Sequence, residues 1–215
     1  MNKVKVNINI CIDFYNEFFI GGGKGNSDID LYVLKDVNGA PYIPGSALKG
    51  KLRYMVTLVN NIFAQNKYNC TRNEGEKCEC LVCDIFGNKD NKKGKLNFGN
   101  LSLSNGVYGD TIHVRNGIAV NRYLGIVCDK SLFKFESVQN KNNYFIGEIN
   151  GYLSEGKYKK QLLLLFLGFS LIETLGGFQS RGLGWLGKTK EIKIYVDNKE
   201  ISKADLNDWR NELEM

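Results

Sequence analysis

Residues 1–14 read MNKVKVNINICIDF, and within them Val4, Val6, Ile8, Ile10 and Ile12 occupy every second position. A side-chain period of two puts all five on one face, so the segment predicts a strand with one apolar and one polar side. From Ser46 the period changes. Leu48, Leu52, Met55, Val56, Val59, Ile62 and Phe63 recur at intervals of three and four, which predicts a helix from Ser46 to Gln65, with Pro44 in the preceding turn and Ser46 as amino-terminal cap. Leu96, Phe98, Leu101 and Leu103 then alternate in a strand disturbed by Gly99.

The second half repeats this grammar. Tyr144 to Leu153 predicts a strand, Tyr158 to Leu175 a strongly apolar helix ended by Gly176 and Gly177, and Leu186, Ile192, Ile194 and Val196 a final strand. Strand, helix, strand, then strand, helix, strand is the order of a split βαβ core. The expected class is α+β, ferredoxin-like (RRM-like), with both helices on one face of the sheet.

With 215 residues, 43% of them apolar, the chain is expected to form one domain over 1–215. Phe19 to Tyr42, Lys67 to Lys95 and Val107 to Asn143 are then insertions on the core, and long insertions are where function concentrates. The apolar run from Leu162 to Phe169 is interrupted by Gly168, Ser170 and Glu173, short of the roughly 20 residues that cross a bilayer. No membrane helix is expected. The amino terminus lacks the basic, apolar and small-residue blocks of a secretory signal, so a cytoplasmic location follows.

The 29 basic and 23 acidic residues give a net charge of +6. Residues from Asp197 onward are acidic on balance, an expected solvated tail, so the rest of the chain is more basic than the total suggests. A basic surplus favours a polyanionic partner such as nucleic acid.

Cys70, Cys78, Cys80 and Cys83 fall in the segment CTRNEGEKCECLVC. Four thiolates can close a structural tetrahedral zinc site, and the terminal CxxC pair presents two sulfurs from one tight turn. Two disulfides or four free thiols are the alternatives, and a reducing cytoplasm disfavours the first. Cys11 and Cys128 read as ordinary free thiols.

In PYIPGSALKGKLR, Gly45 turns the backbone into a helix start followed by Lys49, Lys51 and Arg53. The pattern suits a phosphate as well as it suits a capped surface helix with solvated lysines. GGFQSRGLGWLG crowds five glycines around Arg181, more than a helix stop needs, which points to a binding loop. GGGKG lacks the spacing of a phosphate loop, so a nucleoside triphosphatase is excluded. His113 is the sole histidine, so a structural or surface role is expected for it and hydrolysis would need carboxylates and a metal ion or the RNA's own 2′-hydroxyl.

These segments resemble the RAMP superfamily of CRISPR-associated proteins, most closely the backbone subunit of type III (Csm and Cmr) effector complexes. The resemblance is carried by IDLYVLKD, GAPYIPGSALKGKLR, CECLVCDIFG, RNGIAVNR with SLFKFESV, and GGFQSRGLGWLG, in that order from Gly21 to Gly187. It implies that Asp30 is the target-cleaving aspartate, with Asp28 and Asp36 as unassigned neighbours. Tyr32 stands where the family often has proline. It implies that Ser46, Lys49, Lys51 and Arg53, and likewise Gln179, Ser180, Arg181 and Gly182, face the guide RNA backbone, and that residues 107–143 form a β-ribbon thumb from which Arg115 and Arg122 contact RNA while Phe133 and Phe135 pack in the core. Residues 67–95 would be a zinc-bearing insertion. The implied partners are guide CRISPR RNA, target RNA, copies of the chain in a filament and the other type III subunits, with magnesium or another divalent cation for cleavage. A guide-binding scaffold without chemistry is the alternative. A guide-precursor endoribonuclease is disfavoured, because such enzymes usually use a histidine.

Overall fold

The computed structural model describes residues 2–24, 28–63, 78, 80–88, 93–104, 111–129, 131–139 and 144–209. In chain order the elements are β1 (Lys3–Phe14), β2 (Gly21–Lys24), β3 (Leu31–Val33), α1 (Gly45–Phe63), α2 (Leu81–Phe86), β4 (Leu96–Phe98) and β5 (Ser102–Leu103). There follow β6 (Ile112–Gly117), β7 (Val120–Asn121), β8 (Ile126–Val127), β9 (Phe133–Val138), β10 (Phe145–Ser154), α3 (Tyr158–Ser170), β11 (Leu186–Val196), β12 (Lys199–Ile201) and α4 (Lys203–Asp208). The fold is mixed α+β.

The alternation in β1 is realised. Val4, Val6, Ile8, Ile10, Ile12 and Phe14 are buried, while Lys3, Lys5 and Asn9 face solvent. β1 is central in the main sheet, whose order is β12-β11-β1-β10-β4, with β5 also paired to β10 and every pairing antiparallel. The connection β1-α1-β4 leaves β10 between its strands, and β10-α3-β11 leaves β1 between its own. Two interleaved crossovers bring α1 and α3 together over one core, in which Leu48, Leu52 and Val56 of α1 join Leu162, Leu165 and Phe169 of α3. The helices approach closely because position 168 is glycine. A Cβ there would lie 2.5 Å from Val56 Cγ2.

The second sheet, β2-β3-β9-β6, is built from two of the expected insertions. Its β3 and β9 run parallel through a single bridge, Leu31 to Phe135. Beyond it, β7 and β8 form a separate hairpin on which Val120, Tyr123, Leu124, Ile126 and Val127 are exposed.

Four expectations are corrected. α1 already begins at Gly45, so Ser46 lies within its first turn rather than at the cap, and the Ala47 and Leu48 amides bond to Pro44 O. α3 stops at Ser170 rather than Leu175, because Lys190 Nζ donates to the carbonyls of Ser170 at 2.7 Å and Ile172 at 2.9 Å, and Leu175 N–H is drawn to Gly184 O. Cations at a helix carboxyl end complement its dipole and unpaired carbonyls. β11 is not the final strand. The acidic segment after Asp197 is not simply solvated as far as Trp209, since it forms β12 and α4, buries Leu206 and lays Trp209 against Tyr158 at 5.9 Å between ring centroids. No helix among the described residues is long and apolar enough to cross a membrane.

Candidate nucleic-acid interface and thiol cluster

Asp30 lies just before β3 and is exposed. Its amide donates to Lys134 O at 2.9 Å, and its Oδ2 accepts the Lys134 amide at 2.7 Å. Two residues after Lys134, the buried Glu136 carboxylate reaches back from β9. It accepts the Val33 amide at 3.0 Å and pairs with Lys35 Nζ at 2.8 Å. Two carboxylates thus lengthen a parallel pairing that the backbone makes at only one bridge, and they fix where Asp30 stands relative to β9.

Ser46 is exposed at the start of α1, while Lys49, Lys51 and Arg53 are half-buried. The amide of Gly45 is taken by Asn100 Oδ1 at 2.9 Å, and those of Ala47 and Leu48 bond Pro44 O, so the helix start is largely satisfied internally. Lys49 Nζ sits 5.7 Å from the centre of the Phe98 ring. Lys51 Nζ donates to Thr174 Oγ1 at 3.3 Å, Thr174 Oγ1 in turn donates to Gln179 Oε1 at 3.0 Å, and Gln179 Nε2 donates to Gly176 O. Two segments separated by more than a hundred residues are therefore joined through Lys51, Thr174 and Gln179.

Gln179, Ser180 and Arg181 form a 3-10 turn between Phe178 and Gly182, both left-handed at φ 56° and 82°. The Arg181 guanidinium lies 5.1 Å from the ring centres of both Phe133 and Phe178, and these rings pack in turn on Phe135. Among the described residues Arg181 makes no ion pair. It shares a cavity of about 220 Å³ with Arg115, Asn116, Gly117, Ile118, Phe135 and Leu183. Arg115 pairs with Glu17 at 3.3 Å, and Glu17 also accepts the Ser137 hydroxyl at 2.7 Å. Two guanidiniums beside an aromatic floor can grip a phosphodiester and stack on a base. Arg122 is placed apart, exposed in the β7–β8 turn. His113 is exposed on β6, and Phe135 is buried and Phe133 partly so, as expected.

Cys78, Cys80 and Cys83 present sulfurs that all lie within 4.8 Å of one another. Tetrahedral zinc with Zn–S near 2.3 Å needs sulfurs about 3.8 Å apart, so the three fit a metal ion and are compatible with zinc. Cys80 Sγ also accepts the Cys83 amide at 3.3 Å and caps α2. Behind it the buried Asp84 is held by Lys95 Nζ at 2.6 Å and Gln161 Nε2 at 2.8 Å, which ties the cluster's helix to the main sheet and α3. Cys70 lies outside the described residues. Cys11 is a free thiol whose pKa is raised by burial and by the nearby Glu191 and Asp13 carboxylates, and Cys128 is free and exposed.

Sequence reasoning missed Asn16, Glu17, Glu136 and Asp84. No local motif marks them, since their partners lie from 11 to 169 residues away in the chain.

The chain is an α+β protein in which two arginines line one cavity above an aromatic floor, beside a glycine-rich loop and a thiol cluster. The chain belongs to the RAMP superfamily, whose family model matches residues 13–187. It is 26% identical over 219 residues to the CRISPR system Cms endoribonuclease Csm3 of Methanocaldococcus jannaschii, an alignment covering 95% of this chain and 86% of the relative. It is 27% identical over 207 residues to the protein of the same name from Streptococcus thermophilus, covering 86% and 87%.

Proposed function

We propose that the chain is the backbone subunit of a type III CRISPR effector complex, which binds guide RNA along a filament of its own copies and cleaves complementary target RNA with a divalent cation. The observation that carries this reading is the convergence of Arg115 and Arg181 on one cavity, with α1 joined to the same glycine-rich loop through Lys51 and Gln179. Contacts from arginine and lysine to phosphates are blind to base identity, as a subunit that holds any guide requires. Ser46, Lys49, Arg53, Ser180 and Gly182 extend that surface, and Arg122 reaches RNA from the hairpin as part of the thumb.

The strand order of the main sheet supports a ferredoxin-like core, in a single domain with a zinc-bearing insertion over 67–95 and the thumb over 107–143. Cys78, Cys80 and Cys83 would hold the zinc, with Cys70 as fourth ligand, in a structural role. At Asp30 the carboxylate keeps one oxygen outside its bond to Lys134, which suffices to hold a cation or orient a 2′-hydroxyl. Partners would be the other subunits of the complex, in the cytoplasm.

The bond from Lys134 to Asp30 also favours a second reading, in which Asp30 only pins β3 and the chain is a guide-binding scaffold. Labelled RNA complementary to the guide, given to the assembled complex with and without magnesium, separates the two. Metal-dependent cuts that vanish in Asp30→Ala support the nuclease. Guide binding without cuts in either protein leaves the scaffold.

A further inference from the structure

After β1 ends at Phe14, the chain runs alongside the glycine-rich loop. Tyr15 N–H donates to Trp185 O at 2.8 Å, and Gly184 N–H donates to Glu17 O at 2.8 Å. Between them the Asn16 side chain spans the turn: its Oδ1 accepts the Trp185 amide at 3.0 Å, and its Nδ2 donates to Gly182 O. One carboxamide thus holds both ends of the segment that immediately follows Arg181.

The loop it holds is not a relaxed one. Phe178 is a non-glycine residue at φ 56°, a conformation that costs about 1 kcal/mol or more and persists only where the surroundings over-determine it. Gly184 at φ 80° turns so close to α3's exit that a Cβ would lie 2.3 Å from Leu175 O. The outcome of this arrangement is Arg181, solvent-exposed yet set against two phenylalanine rings, where a free arginine would lose about 2 kcal/mol of rotamer entropy on binding. Preorganising a contact residue raises affinity by removing that cost.

We propose that Asn16 is a positioning residue for RNA: it touches no nucleotide itself, and it fixes the loop from which Arg181 grips the RNA backbone. This rests on the reading that Arg181 contacts RNA. It predicts energetic coupling between two side chains that do not share a bond.

The test is a double-mutant cycle on the full chain, read by fluorescence anisotropy of a labelled single-stranded RNA, with amide hydrogen exchange as a second measurement. Arg181→Ala is expected to weaken binding about tenfold, the worth of one charge-assisted contact. Asn16→Ala is expected to weaken it by a similar factor, to add little when combined with Arg181→Ala, and to speed exchange at the Gly184 and Trp185 amides. Asn16→Asp keeps the acceptor for Trp185 and loses the donor to Gly182, so it falls between, and it carries the test if Asn16→Ala fails to fold. Wild-type affinity in Asn16→Ala, or a double mutant weakened by the product of the two single effects, overturns the proposal. Wild-type affinity in Arg181→Ala instead removes the RNA role of the loop, while unchanged amide exchange in the Asn16 variants removes the clamp, so the two failures are told apart.

Discussion

The Asp30 carboxylate accepts the amide proton of Lys134 at 2.7 Å, while the Lys134 carbonyl accepts the amide proton of Asp30 at 2.9 Å. One side chain therefore has two jobs available, pinning β3 to β9 and acting on a substrate. Asparagine keeps the acceptor and loses the charge, whereas alanine loses both. Asp30→Asn and Asp30→Ala are both expected to retain RNA binding and to lose target cleavage by about a hundredfold or more, the scale of a lost general acid, base or metal ligand. Only Asp30→Ala should also lose about 1 kcal/mol of stability in urea, for the missing hydrogen bond. Cleavage by Asp30→Asn at the wild-type rate would leave the residue as a pin and favour the scaffold.

Arg115 and Arg181 line one cavity, yet they are not equivalent, because Glu17 neutralises Arg115 at 3.3 Å. Each arginine that neutralises a phosphate of a single strand contributes about 0.7 to the slope of log affinity against log salt. Arg181→Ala is expected to lower the slope by about that amount, and Arg115→Ala likewise once RNA displaces Glu17. Glu17→Gln should tighten binding at low salt, since the competing carboxylate is gone. Salt titrations of the four proteins check this, and an unchanged slope in Arg181→Ala would exclude a phosphate contact there.

The elements that were legible in the sequence are those decided within a few residues. The even-numbered residues of β1 are the buried ones, and the three-and-four spacing from Leu48 to Phe63 is α1. What was hidden depends on distant partners. The end of α3 is set by Lys190, twenty residues beyond Ser170, and the parallel pairing of β3 with β9 crosses about a hundred residues. At the candidate site, residue types single out Arg181 and the cysteines as candidates, while Asn16 and Glu17 look like any polar residues until the fold brings Gly182 and Arg115 to them. One missed element did carry a local signal: Ser202 and Asp205 have the spacing of a capping box, and they start α4.

The thiol cluster leads to a prediction about stability as well as content. Because Cys80 caps α2 and Asp84 of the same helix is fixed by Lys95 and Gln161, a bound metal would brace the sheet and α3 together. The purified chain is expected to carry one zinc ion per molecule. Cys80→Ser and Cys83→Ser should abolish it, and a chelator should lower the melting temperature by several degrees, on the order of 2–3 kcal/mol for a ligand well above its dissociation constant. Zinc retained by Cys70→Ser would show that the fourth ligand is not Cys70. Metal analysis of the four proteins together with thermal unfolding measures all of this.

Gly168 is where α1 and α3 touch, and a methyl group there would meet Val56 Cγ2 at 2.5 Å. Helix propensity alone would make Gly168→Ala stabilising by up to about 1 kcal/mol. Overpacking a filled core costs about 1–3 kcal/mol, and it should win because Val56 is fully buried. Gly168→Ala is expected to be destabilising, and Val56→Ala in the same chain should recover part of the loss by making room. Urea unfolding of the two singles and the double decides it, and a Gly168→Ala protein more stable than wild type would mean that the helices can separate freely.

Asp205 gives the carboxyl-terminal helix a defined response to acid. The Ser202 hydroxyl and amide both donate to its carboxylate, at 2.7 and 2.9 Å, and these hydrogen bonds hold its pKa below the ordinary aspartate value. A carboxylate whose folded pKa is depressed stabilises the fold above its unfolded pKa, and that contribution is lost as the pH falls through the folded value. Since Asp205 is fully exposed, the effect is local to α4 and does not extend to the whole chain. Docking of Trp209 on Tyr158 should therefore weaken on acidification below the ordinary carboxylate range, and in Asp205→Asn it should no longer follow that titration. Fluorescence of Trp209, isolated by Trp185→Phe, reads the change, and a Trp209 signal that titrates identically in Asp205→Asn would assign the acid response to another group.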